Sequence, residues 1–228
     1  MHPLDNVIWT ALSTHQAHFA EANELARRFP VEIGPLAGLK EPTEQAFNAL
    51  ADLLNPEESA ALFLDKAQEP PSGLTVIATA PLLQMVQEKP IDSPETPFSP
   101  FELIELGVED IPEMIELTQL TKPGPFGTRT RELGMYLGIR QSGKLVAMSG
   151  ERLHVHGYTE VSAVCTHPDH TGHGYAAALM QAVMNSIRAR GETPFLHTRA
   201  YNDRAISLYE RLGFSRRALL HLSVVRKA

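Results

Sequence analysis

The chain has 228 residues, 43% of them hydrophobic and 21% charged, the make-up of a soluble globular protein with room for one large domain or two small ones. A net charge of −7 offers no general electrostatic footprint for nucleic acid, and no apolar run approaches the roughly 20 residues that cross a bilayer. The single cysteine, Cys165, excludes an intramolecular disulfide, and the N-terminus carries no cationic stretch followed by an apolar core, so a cytoplasmic protein without membrane or nucleic-acid partners is expected.

In "LDNVIWTALSTHQAHFAEANELARR", Val7, Leu12, His15 and Phe19 recur at near-helical spacing, which predicts a helix capped by Asp5 or Asn6. "PTEQAFNALADLL" predicts a second helix, with Thr43 as cap and Phe47, Leu50, Leu53 and Leu54 on one face. "NPEESAALFL" predicts helix again after Asn55, with Pro56 at its first position. The β-branched Val76 and Ile77 predict strand in "GLTVIATAPLLQMVQ". Pro90, Pro94, Pro97 and Pro100 then crowd into "QEKPIDSPETPFSPFE". Proline lacks the N–H of a helix or central strand, so this stretch predicts a linker (91–100) between an N-terminal α/β part (1–90) and a second domain (101–228).

The second domain has a cleaner rhythm. "FELIELG" alternates as a strand, and "VEDIPEMIELTQL" predicts a helix with Ile111, Met114, Ile115 and Leu117 or Thr118 inward. A loop, "TKPGPFGTRTRELG", leads to strands "MYLGIR" and "KLVAMSGERLHV", joined by the hairpin turn Gln141-Ser142-Gly143. Strand "YTEVSAVCT" follows, then helix "GYAAALMQAVMNSIRARG", stopped by Gly191. Strand "PFLHTR", helix "NDRAISLYERLG" and a closing strand pair within "FSRRALLHLSVVRK" complete the chain. Three consecutive strands imply an antiparallel meander and the later β-α-β a parallel pair, so a mixed sheet flanked by helices is expected.

"HPDHTGHGYAAALM" places Gly172 and Gly174 where a loop becomes a helix. A dinucleotide-binding fingerprint needs a tight strand-to-helix turn; here "THPDHT" intervenes, and "PFLHTR" ends without the carboxylate that would hold a ribose. Thr171-Gly172-His173-Gly174-Tyr175-Ala176 instead resembles the pyrophosphate signature of the GNAT superfamily of acyl-CoA-dependent N-acyltransferases, Arg/Gln-x-x-Gly-x-Gly/Ala, departing from it at Thr171. One helix and one strand later, Asn202, Ala205, Leu208, Tyr209, Gly213 and Phe214 resemble the family's second motif. The resemblance covers about residues 100–226 and implies a GNAT-like mixed sheet; it leaves the role of residues 1–90 open, a degenerate transferase-like half serving as acceptor or dimer lobe being one option.

The physical basis is the anion site at a helix N-terminus, where N–H groups without internal partners meet the positive end of the macrodipole. By resemblance, residues 171–176 wrap the pyrophosphate of acetyl-CoA, the co-substrate, and backbone groups of Val164 and Thr166 pair with its pantetheine arm, with Asn202 also on the coenzyme. An N–H near Val164 would polarise the thioester carbonyl. The resemblance makes Tyr209 the acid for the leaving thiolate, and Glu160 the favoured base, because strand alternation places it on the face of Val164; Glu151 is second choice. Odd parity should turn Cys165 away from the acceptor. His154, His156, His167, His170 and His173 lack a convincing zinc spacing, so no metal is expected. Arg204 or Arg211 is a candidate for the 3′-phosphate, a solvated helix face being the alternative. The expected activity is transfer of an acetyl group to a primary amine, on a small molecule or a protein, in a ternary complex; the rival is a non-catalytic acyl-CoA sensor.

Overall fold

A computed structural model of the chain describes residues 2–88 and 101–227, so the expected linker lies outside the described residues. The first half holds α1 (Val7–Ser13), a 3-10 turn (Ala17–Phe19), β1 (Glu21–Ala22), β2 (Ala26–Arg28), β3 (Ala37–Leu39), α2 (Glu44–Leu53), β4 (Ser59–Leu64) and β5 (Leu74–Val86). The second holds β6 (Ile104–Glu105), α3 (Ile111–Thr121), a 3-10 turn (Thr130–Leu133), β7 (Tyr136–Gln141), β8 (Lys144–Val155), β9 (Tyr158–Thr166), α4 (Tyr175–Ala189), β10 (Thr193–Arg199), α5 (Asp203–Arg211) and β11 (Ser215–Lys227).

Strands β1, β2 and β3 form a small antiparallel sheet. The rest form one eight-stranded sheet in the order β4-β11-β5-β10-β9-β8-β7-β6. It is mixed as expected: β9 and β10 run parallel and the other neighbours antiparallel. Strand β5 lies between β10 and β11, so strands from both sides of the proline-rich stretch build the same sheet. Helices α4 and α5 cover one face through Met180, Ile187 and Ile206, which pack with Val161, Leu196 and Phe214. Helix α1 covers part of the other with Ile8 and Leu12, which join Leu4 just before the helix against Leu153, Phe195 and Leu222. Beside it, Met114 and Leu117 of α3 pack on Tyr136 and Met148. Each such side chain, fully buried, stabilises the fold by about 1.5–3 kcal/mol.

Local patterns and tertiary pairing disagree at three places. The helix expected across residues 4–28 stops at Ser13. The amide of buried Gln16 donates to the Arg152 carbonyl and accepts from the His154 N–H, bonds a continued helix could not reach. Asn6 takes the N-cap position, one of the two expected, but its side chain makes no cap hydrogen bond and donates instead to the Leu39 carbonyl, while Asp5 pairs with Arg217. The helix expected from Pro56 is a turn, held by Glu58 accepting from the Asn55 N–H, followed by β4. There β4 pairs with β11 from Ser59↔Arg226 to Leu64↔His221, and that ladder overrides a modest helical propensity. Last, "FSRRALLHLSVVRK" is not a strand pair but a single strand, β11; it holds no Gly, Pro or Asn on which to turn, and its long partner β5 comes from the first half. Helix α2 forms as expected, the Thr43 hydroxyl accepting from the Ala46 N–H at 3.3 Å.

Candidate active site

Strands β9 and β10 pair only from Thr193↔Tyr158 to Phe195↔Glu160 and then diverge. A cleft of about 940 Å³ runs through the gap, lined by Val161 to Thr166 on one side and Leu196 to Arg199 on the other. Along the cleft β9 carries a bulge: Met148↔Cys165 and Gly150↔Ser162 leave Ala163 and Val164 together opposite Ser149. Ala163 takes the left-handed region, φ 51°. The extra residue overturns the parity argument for this strand. Val164 joins Val161 on the α4/α5 face, whereas Cys165 packs with Tyr136 and Met148 under α3, the face to which Glu160 points. Glu160 and Val164 therefore lie on opposite faces, and Cys165 is not turned away from Glu160. Burial pushes the Cys165 thiol up to about 11, which keeps it protonated and a poor nucleophile.

At one end of the cleft, residues 171–177 wrap the start of α4. Gly172 and Gly174 sit at φ 85° and 84°, and a Cβ on either would project into open space. Gly174 occupies the N-cap position and supplies no side chain to cap the helix. The N–H groups from Gly172 to Ala177 have no hydrogen-bond partner among the described residues, the first helical bond running from the Ala178 N–H to the Gly174 carbonyl. This is a row of converging donors at a helix N-terminus, and it fits an anion such as a pyrophosphate. The Thr171 hydroxyl donates away from the loop, to the Pro168 carbonyl. His173 stacks on Tyr175 at 5.4 Å. Asn202 caps α5, accepting from the Ala205 N–H, and lines the cleft with exposed Arg204 and Arg211.

Tyr209 of α5 lines the cleft, and burial pushes its hydroxyl up to about 12. It keeps its proton at neutral pH, the state required of an acid.

At the other end a buried polar group was not anticipated as a unit. Arg152 on β8 donates from Nε and Nη2 to both oxygens of Glu160 at 2.8 and 2.7 Å, and His197 Nδ1 of β10 lies 2.7 Å from Glu160 Oε1. Gln84 of β5 accepts from Arg217 through Oε1, so its Nε2 donates to the Leu4 carbonyl and, at 3.0 Å, to His197 Nε2. In this arrangement His197 donates from Nδ1–H to Glu160 and turns Nε2 to the Gln84 amide. Burial would raise the Glu160 carboxyl, but the Arg152 charge and the hydrogen bonds from Arg152 and His197 outweigh it and bring it down to about 2. A carboxylate so engaged is a weak proton acceptor at neutral pH, which counts against Glu160 as the base. Glu151, held by Arg190 and His154, does not line the cleft. Beyond this group the cleft is apolar, walled by Leu36, Ala61, Phe63, Leu82 and Leu222, with Phe63 packed on the His197 ring at 4.7 Å. Among the described residues, no group of three or more His, Cys, Asp or Glu is disposed to hold a metal ion, and no helix is long and apolar enough to cross a membrane.

Val164, Thr166, Thr171, Gly172, Gly174, Tyr175, Ala176, Asn202 and Tyr209 thus line one cleft, whereas His173 and Glu160 do not: buried Glu160 lies behind Arg152 and His197, which do. Arg152 and His197 were missed in the sequence, where other ionisable residues on the same strands, Glu151, His154 and Arg199, gave no reason to single them out.

Comparison with known proteins adds the lineage. Residues 136–221 match the family model described as FR47-like protein. The fold is similar to that of a GNAT-family protein of Novosphingobium aromaticivorans, with 38% identity, all of both chains covered and a TM-score of 0.92. It is also similar to a GCN5-related N-acetyltransferase of Kribbella flavida, 18% identical over 96% of each chain with a TM-score of 0.64. A Drosophila protein, 18% identical, covers 91% of this chain and 77% of its own with a TM-score of 0.61. Comparison with curated proteins gives no match. The splayed β9/β10 pair, the uncapped glycine loop and full-length identity of 38% to a GNAT-family protein lead to one conclusion: the chain belongs to the GNAT superfamily.

Proposed function

We propose that the protein is an acetyl-CoA-dependent N-acetyltransferase that joins coenzyme and amine in one ternary complex. One observation carries the reading: the unpartnered N–H row from Gly172 to Ala177 opens into the cleft that Tyr209 lines and that continues through the sheet. Acetyl-CoA supplies an activated acyl thioester. Residues 172–177 bind its pyrophosphate, and the bulged backbone at Ala163 and Val164 turns toward the gap to orient the thioester. Transfer forms a C–N bond and breaks a C–S bond; the sulfur takes a proton from Tyr209, the proton that the amine nitrogen gives up passes to solvent water, and Tyr209 is reprotonated from solvent. With Glu160 locked between Arg152 and His197, the amine enters in its neutral form, and Glu160 serves to hold those two side chains in place. The arms of the test are free-thiol release from acetyl-CoA with a panel of amines and coenzyme A binding by calorimetry. Amine-dependent thiol release is the expected outcome; tight coenzyme binding with no release for any amine would favour the sensor reading, to which the inward-silent Thr171 hydroxyl lends support.

A further inference from the structure

The far end of the cleft is built for an acceptor of particular chemistry. Arg152 is only 8% exposed, and two of its three nitrogens are spent on Glu160. The third, Nη1, has no hydrogen-bond partner among the described residues and lies beside Gly124, where a Cβ would stand 3.9 Å from it. Arg152 and Gly124 both line the cleft. A guanidinium paired along one edge and open along the other is pre-oriented to donate to a second carboxylate. An acceptor that carries a carboxylate gives Nη1 the partner it lacks, whereas a simple amine would leave that buried donor unpaired. The apolar wall of Leu36, Ala61, Phe63, Leu82 and Leu222 then suits a hydrocarbon substituent.

Resting on the transferase reading above, we infer that the acceptor is an amino acid with an apolar side chain, its carboxylate held by Arg152 Nη1 and its side chain seated against Phe63 and Leu82. Arg152 is here a binding residue; the transfer step itself is unchanged.

The experiment compares initial rates of thiol release, at saturating acetyl-CoA, for apolar amino acids, their amides and the amines left when the carboxylate is removed. Each amino acid should exceed its amide and its decarboxylated amine by about 10- to 100-fold in kcat/KM, the range of a hydrogen bond to a charged group. Arg152→Lys retains a cation for Glu160 but loses the second edge, and should reduce that ratio to a few-fold. As a readout that survives a poorly folding variant, N-acetyl amino acids should bind the coenzyme A-loaded native protein more tightly than the matching N-acetyl amines by a similar factor. Equal rates for acids and amides, or an undiminished ratio in Arg152→Lys, would overturn the inference and leave the transferase standing. No thiol release with any amine, together with no preference in product binding, would remove both.

Discussion

The two ends of the cleft recognise charge by opposite means. At the proposed coenzyme end the available groups are backbone N–H donors of consecutive residues, Gly172 to Ala177, left free because two glycines remove side chains and no side chain caps the helix start. At the proposed acceptor end they are side chains from separate strands: Arg152, Glu160, His197 and, behind them, Gln84. The first costs little to build, since helix termini leave those donors unpaired in any case. The second takes two charges out of water and survives only because each carboxylate oxygen and each imidazole nitrogen has a partner. A local backbone site tolerates change around it; a buried network fails as a unit.

The largest expected effect follows directly. Glu160→Gln leaves the Arg152 charge without its counter-ion and should lower folding stability by about 3–5 kcal/mol in urea titrations, while a variant at the glycine loop changes stability far less. The same carboxylate fixes a pH dependence. Its folded value, about 2, lies below its ordinary 4.5, so its stabilisation is complete above about pH 4.5 and is lost as pH falls toward 2, amounting to about 3 kcal/mol. Urea midpoints measured between pH 6 and pH 3 should decline in the native protein and flatten in Glu160→Gln. A parallel decline in both would mean that other carboxylates dominate.

Between the two ends stands Tyr209. Tyr209→Phe removes only the hydroxyl, so turnover should drop about 10²-fold with coenzyme A affinity intact. Unchanged turnover would take the proton donor elsewhere. At the coenzyme end, Gly174→Val forces a β-branched residue to φ 84° and directs its methyls into the anion loop. Calorimetry should then register a loss of about 10-fold or more in coenzyme A affinity while the thermal midpoint moves only slightly, since a left-handed residue costs about 1–2 kcal/mol. Full affinity in a folded variant would sink the pyrophosphate assignment. The smallest change is Thr171→Arg, which gives the loop a cation it lacks: a tightening of about 2- to 5-fold, abolished by salt, is expected of one exposed charge.

Legibility in the sequence divides along the same line. Gly172, Gly174, Asn202 and Tyr209 could be read because their spacing within one loop and one helix is the whole of their geometry. Arg152 and His197 could not, and Glu160 was singled out without either partner, because only strand pairing brings the three together. The bulge defeated parity for a related reason: the left-handed residue is Ala163, and alanine does not mark such a position as glycine would. The order of strands and helices from β6 to β11 was read almost whole, whereas β4 was mistaken for helix because its ladder with β11 is non-local.

The place of β5 between β10 and β11 also bears on how the chain acquires its structure. During synthesis the strand at residues 74–86 emerges long before either neighbour, and it must wait with both edges bare while α3 to α4 are made. Closing those pairs means closing very long loops, the kind of step that slows folding. A polypeptide cut at the proline-rich stretch would leave β10 and β11 facing each other across a missing strand, two sticky borders in the middle of a sheet. Cells making either piece alone should therefore accumulate insoluble protein, and mixing the two pieces while both are nascent would be the way to recover the fold.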